Sequence, residues 1–119
     1  MKDFRTLKIW EKAHRLTLDI YAATKAFPKE EFFGVTSQIR RATSSIPANI
    51  AEGCGKGSDA DFSRFLQIAF GSACEVEYHL ILSRDLGYLT ALQYANLNDN
   101  LISTKRMLAA LIGKIKSDR

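Results

Sequence analysis

Apolar residues recur along this chain at intervals of three and four, not alternately, and that spacing sets the reading of the fold. Ile9, Ala13, Leu16, Ile20, Ala23 and Phe27 follow one another at steps of 4, 3, 4, 3 and 4. This is the period of a helix with one covered face, and it predicts a first helix from about Thr6 to Lys25. Pro28, with acidic residues just after it, suits a short helical turn. A second helix is expected from near Gly34, carrying Val35, Ile39, Ala42, Ile46, Ile50 and Gly53 on one face. Its end falls in the run GCGKG, because three glycines at alternate positions do not sustain a helix.

Ser58 or Asp59 caps a third helix, expected to reach about Asp85 before Gly87 stops it. Thr90 and Gln93 have the spacing of a capping box and open a fourth, on which Tyr94, Leu97, Leu101, Leu108, Leu111 and Ile115 keep the spacing of a bundle helix. No segment alternates for long enough to form a sheet. Four helices with mostly short links predict an all-α, up-down-up-down four-helix bundle, a single domain over residues 1–119.

The third helix carries more apolar surface than one bundle position needs. Phe62, Leu66, Ala69, Ala73, Val76 and Leu80 suffice to face the core. A second stripe, Ile68, Gly71, Glu75, Tyr78 and Leu82, lies on roughly the opposite side at steps of 3, 4, 3 and 4. In a small bundle one side of each helix reaches water, so the surplus points to self-association through Ile68, Gly71, Tyr78 and Leu82, with Gly71 and Ser72 admitting another backbone. The alternative is that helix ends or the Phe32–Phe33 loop cover the stripe. Glu75, set within it, is expected to be mostly buried and paired with Arg40, Arg41 or Arg84.

In the stretch SSIPANIAEGCGKGS, Pro47 falls late inside the second helix, where a proline costs about 3 kcal/mol and leaves the carbonyl of Thr43 without its amide partner. A kinked second helix follows as the expectation. Gln38, Arg41, Ser45, Asn49 and Glu52 run along one side of that helix, and with Glu75 they read as a polar network holding a helix pair in place, in preference to an active site.

Composition narrows the function classes. The chain has 119 residues, 46% of them hydrophobic, so it is large enough for one core and too small for a separate substrate domain. The N-terminal segment is broken by charges every few residues and no run of eighteen apolar residues occurs, so a cytoplasmic protein without membrane contact is expected. Cys54 and Cys74 lack a CxxC or His-rich neighbourhood; both read as reduced thiols, with Cys74 packed. GCGKGS superficially resembles a phosphate loop but lacks its spacing, its preceding strand and the Ser or Thr after the lysine. His14 and His79 read as surface or interface imidazoles, with no nucleophile at catalytic spacing. No enzymatic activity and no cofactor are expected.

The net charge is +4 with a pI near 9.2. Arg5, Lys8, Lys12 and Arg15 make one basic stripe on the first helix at steps of 3, 4 and 3, and Lys105, Arg106, Lys114, Lys116 and Arg119 make the C-terminal end basic. Arg5, Lys8, Lys12, Arg15, Lys105 and Arg106 are therefore the candidate nucleic-acid contacts, against the alternative of a solvated helix face. No aromatic run interleaves these residues, which gives base stacking little support.

Nearly end to end, these features resemble the bacterial four helix bundle protein family, also called the 23S rRNA intervening-sequence protein family. The resemblance covers about residues 4–90. It rests on Trp10 with Ala13; on Tyr21, Phe27 and Pro28; on Gln38 to Arg41; on Ser45 to Gly53, whose SIPANIAEG element is specific; on Phe65, Ala69, Gly71, Ser72 and Glu75; and on Leu86, Gly87 and Tyr88. The fourth helix matches only in pattern, and Val35 and Cys54 stand where a leucine and an aromatic are expected. The resemblance implies an all-α homo-oligomer, a pentameric ring, from genes that can lie inside intervening sequences of ribosomal RNA genes. The Avd accessory protein of diversity-generating retroelements looks like a distant relative, and its positively charged pentamer binds nucleic acid and a reverse transcriptase. A pentamer of this chain would carry about +20, enough to attract phosphate backbones. RNA or DNA, a partner protein and further copies of the chain are the partners so implied.

Overall fold

The computed structural model describes residues 3–118. Four helices account for most of them: α1 (Lys8–Thr24), α2 (Val35–Cys54), α3 (Asp59–Asp85) and α4 (Ala91–Ser117), with one-turn 3-10 segments at Phe4–Thr6 and Lys29–Glu31. Among the described residues there is no strand, and no helix is long and apolar enough to cross a membrane.

Local chemistry sets the helix ends. The Ser58 hydroxyl accepts from the Asp61 amide at 3.2 Å at the start of α3. At α4 the capping box is complete, with the Gln93 amide donating to the Thr90 hydroxyl and the Thr90 amide to the Gln93 side chain. Gly57 and Gly87, in the α2–α3 and α3–α4 turns, adopt φ of +84° and +80°, a conformation L side chains rarely take.

Each helix packs against two others in the cyclic order α1, α2, α3, α4, and the diagonal pairs are not neighbours. All contacts run antiparallel: Thr17 meets Thr43 and Thr24 meets Arg40 across α1–α2, Ser45 meets Ser72 across α2–α3, and Glu77 meets Lys105 while Arg84 meets Tyr94 across α3–α4. The core is the set of periodic positions. Ile9, Ala13, Leu16 and Ile20 of α1, Ile39, Ala42, Ile46 and Ile50 of α2, the whole first stripe of α3, and Leu97, Leu101, Leu108 and Ile115 of α4 are buried. At roughly 25 cal/mol per Å² of apolar surface removed from water, this continuous core supplies the main drive to fold. Gly53 marks a close approach of α2 to α3: a Cβ there would sit 2.9 Å from the Phe65 Cβ, so the two helices approach as closely as they do there only because that side chain is missing.

Pro47 does not interrupt α2, which runs unbroken from Val35 to Cys54 across it. Its consequence is seen one turn earlier and one helix away. The Thr43 carbonyl, deprived of an amide at position 47, receives the Thr17 hydroxyl of α1 at 3.4 Å, while that hydroxyl also bonds the Ala13 carbonyl at 2.9 Å. The helix-breaking residue is thus accommodated by a contact between helices. At the far end of α1, Tyr88 packs on Phe27 and donates to Glu31 at 2.8 Å, tying the α3–α4 turn to the α1–α2 connection. That hydrogen bond, aided by burial and by the Glu31 and Glu30 charges, raises the phenol pKa above its ordinary value.

Several sequence expectations are corrected. Glu75 is exposed, and its partner is His79 at 3.4 Å, not an arginine. Arg40 instead donates to Thr24 and to the Tyr21 carbonyl, and Arg84 pairs with Asp85. The physical reason is that the neighbours of Glu75 on its stripe, Ile68, Gly71 and Tyr78, are themselves exposed within the single chain, so the fold of one chain does not bury the carboxylate. Cys74 is exposed and Cys54 is the buried one; neither forms a disulfide. His79 is buried, not a surface imidazole, drawn to the core edge between Val76 and Leu80.

Candidate nucleic-acid interface

The amphipathic geometry of α1 decides what it offers to solvent. With Ile9, Ala13, Leu16 and Ile20 committed to the core, Lys8, Lys12 and Arg15 emerge together on the flank turned to α4. They line a cleft of about 500 Å³ with Glu11, His14, Asn100 and Met107. Among the described residues none of the three cations is ion-paired, whereas Arg5, Lys56, Arg64, Arg84 and Lys105 all are. Lys114, seven residues beyond Met107, shares its face of α4 and extends the positive surface along the same edge.

The remaining predicted contacts are placed differently. Arg5 lies just before α1, where its guanidinium bonds the Asp3 carboxylate at 3.0 Å. This hydrogen bond holds the Asp3 pKa below its ordinary value and raises that of Arg5, so part of its charge is locally compensated. Lys105 is on the other side of α4: its ammonium donates to Glu77 at 2.7 Å and lies 5.4 Å from the Phe70 ring centroid. The Glu77 hydrogen bond raises its pKa against the opposing effect of burial. The structure therefore does not bring Lys105 together with Lys8, Lys12 and Arg15. Arg106 is exposed, five residues beyond the core position Leu101 and one before Met107, away from the cleft lining. Arg119 lies outside the described residues.

The polar side of α2 forms a smaller network than expected. Asn49 donates to the Ser45 carbonyl at 2.8 Å and to its hydroxyl at 2.9 Å, and that hydroxyl is 2.9 Å from the Ser72 hydroxyl of α3. Gln38 and Arg41 are exposed and do not join it; Glu52 faces Lys56 at 3.9 Å. Ser72 is the member that sequence reasoning left out of the network, although its place beside Gly71 on the second stripe was the available signal.

Two further surfaces stand out. On α3, Ile68 and Tyr78 are 43% and 59% exposed, with Gly71 and Glu75 exposed between them, so none of the described residues covers this part of the stripe; Leu82 is half-buried against the core. The Phe32–Phe33 pair does not fold over it, since Phe33 is itself 90% exposed. At the edge of the basic cleft, Trp10 and His14 stack with ring centroids 4.8 Å apart and planes 14° from parallel, and Phe4 tilts against Trp10 at 5.1 Å. Sequence reasoning missed this stack; the i, i+4 spacing of Trp10 and His14 was its signal.

The architecture and surfaces together define a class: an antiparallel four-helix bundle with a basic α1–α4 edge and an uncovered apolar stripe on α3. The 1.70 Å crystal structure of a protein of unknown function from the S23 ribosomal protein family of Bacteroides thetaiotaomicron VPI-5482 shares the fold, with a TM-score of 0.82 and 32% sequence identity over 88% of this chain and 95% of that one. Residues 5–110 match the family described as 23S rRNA-intervening sequence protein, and the chain belongs to that family. No curated protein matches the chain.

Proposed function

We propose that this protein is a non-enzymatic, homo-oligomeric helical bundle that binds the phosphate backbone of RNA or DNA as an accessory factor associated with ribosomal RNA intervening sequences. The observation that carries the reading is the cluster of Lys8, Lys12 and Arg15 along one cleft with no carboxylate partner within ion-pair distance among the described residues, in a chain that pairs several of its other exposed cations. Unpaired cations on one edge attract a polyanion and release its counterions on contact. The family's link to 23S rRNA intervening sequences supports the same class of ligand. Self-assembly, with a pentameric ring as the form implied by the family resemblance, is supported by the exposed Ile68, Gly71 and Tyr78 surface, and it would repeat the basic edge around the assembly.

The test is fluorescence anisotropy of nuclease-treated protein with a structured RNA and a DNA duplex at low and near-physiological salt. Binding is expected to weaken steeply with salt, by a log–log slope of about 0.7–0.9 per phosphate neutralised. The triple charge reversal Lys8→Glu, Lys12→Glu and Arg15→Glu is expected to abolish it. No binding at low salt would sink the proposal.

A second reading, a protein-interaction scaffold, has its own observation. Phe32 and Phe33 meet edge to face, 4.9 Å apart, and line shallow clefts with Tyr21, Arg40 and Arg41 at the end of the bundle where α1 stops and α2 begins. Exposed aromatics bordered by arginines suit a protein partner. Partner capture unaffected by the α1 charge reversals but lost in Phe33→Ser would favour it.

A further inference from the structure

His14 belongs to two features at once. It lines the basic cleft with Lys8, Lys12 and Arg15, and it stacks on Trp10. Trp10 is half-buried and backed by Phe4, so the indole has a protein surface behind it, while His14 is exposed. One face of the imidazole is therefore covered by the indole and the other is turned to solvent at the mouth of a cleft whose volume of about 500 Å³ lies in the range of small-ligand sites. A ring already held by its neighbour one turn back loses little freedom when a second planar group settles on it.

We propose that His14, supported by Trp10, is a base-stacking ledge, and that the cleft therefore takes unpaired nucleotides in preference to continuous duplex. The proposal rests on the backbone-binding reading above and adds to it the kind of strand. In a duplex the faces of the bases are already stacked on one another, and a ring on the protein surface meets only sugar and phosphate. In a single strand, loop or bulge a base can turn out and lie on the imidazole while its flanking phosphates reach Lys12 and Arg15. Glu11 in the same lining disfavours a phosphate directly over its own carboxylate.

The experiment compares three probes at low salt: a short oligouridylate, the same strand made abasic, and a blunt-ended RNA duplex with an equal number of phosphates. Trp10 is the chain's single tryptophan, so its fluorescence reports directly from beneath the ledge. The oligouridylate is expected to bind about tenfold more tightly than the abasic strand, as one stacked base provides, and to quench Trp10 where the abasic strand and duplex do not. His14→Ala is expected to remove the tenfold difference and leave abasic and duplex binding as they were, while His14→Phe keeps the preference. Because His14 is exposed, these variants leave the core intact. Equal binding of all three probes with His14→Ala neutral would overturn the ledge and leave the backbone-binding reading standing. Absence of binding to every probe would overturn both.

Discussion

Pro47 removes one backbone donor from α2, and the structure answers with a side chain from α1. The Thr17 hydroxyl reaches the Thr43 carbonyl that proline leaves unpaired, so a residue on one helix is matched to a residue on another. This predicts an energetic coupling. Thr17→Val should destabilise the protein by about 1 kcal/mol, and by about 0.5 kcal/mol less in a Pro47→Ala background, where the new alanine returns a backbone amide to the Thr43 carbonyl. A double-mutant cycle by urea denaturation measures the difference, and strict additivity would show that the 3.4 Å contact contributes nothing. At this scale the sequence was only partly legible. It exposed the orphaned carbonyl, because a missing amide is a property of the chain itself. It held no sign that Thr17 would supply the donor, nor that Glu75 and Cys74 would be exposed in the single chain, because helical spacing sets an angle around an axis and not what stands opposite that angle.

Elements were far more legible than their side-chain partners. The periodic positions, the glycine run after α2, the Ser58 cap and the Thr90–Gln93 box all act within a few residues, so the ends of α2, α3 and α4 fall where local chemistry places them. What joins the elements is less local, and two joints carry titratable groups. Lys105 of α4 is held by Glu77 of α3, and Tyr88 of the α3–α4 turn by Glu31 of the α1–α2 connection. Both pKa values are raised above their ordinary 10.5 and 10.0. A raised value means that the protonated group is favoured in the fold: the stabilisation is complete below the unfolded value and is lost as pH rises through the folded one. Stability should therefore fall in the alkaline range from about pH 10 upward. Lys105→Met and Tyr88→Phe should each lessen that fall relative to the parent protein, measured as the urea midpoint at a series of pH values. Identical slopes in all three would show that these joints do not couple protonation to folding.

For the whole molecule the helix order was legible, since short links between amphipathic helices leave few alternatives to an antiparallel cycle. The destination of the surplus apolar stripe was not, because a single chain lacks the surface that would cover it. With Ile68 and Tyr78 largely exposed and Gly71 offering no side chain, the protein is predicted to sediment as an oligomer, and the paired change Ile68→Asp and Tyr78→Asp to shift it to monomer with its helical circular dichroism retained. A monomeric parent protein at micromolar concentration would contradict this.

In the cyclic order of the bundle, the α1–α4 edge stands opposite the α2–α3 edge, where Ser45 meets Ser72 beside the exposed stripe. Association through α2 and α3 would leave each cleft facing outward and unobstructed, so assembly and ligand binding need not compete for the same surface. A strand long enough to reach from one cleft to the next would then bind the second at a high effective concentration, and its length would govern its residence time more strongly than the affinity of any single cleft.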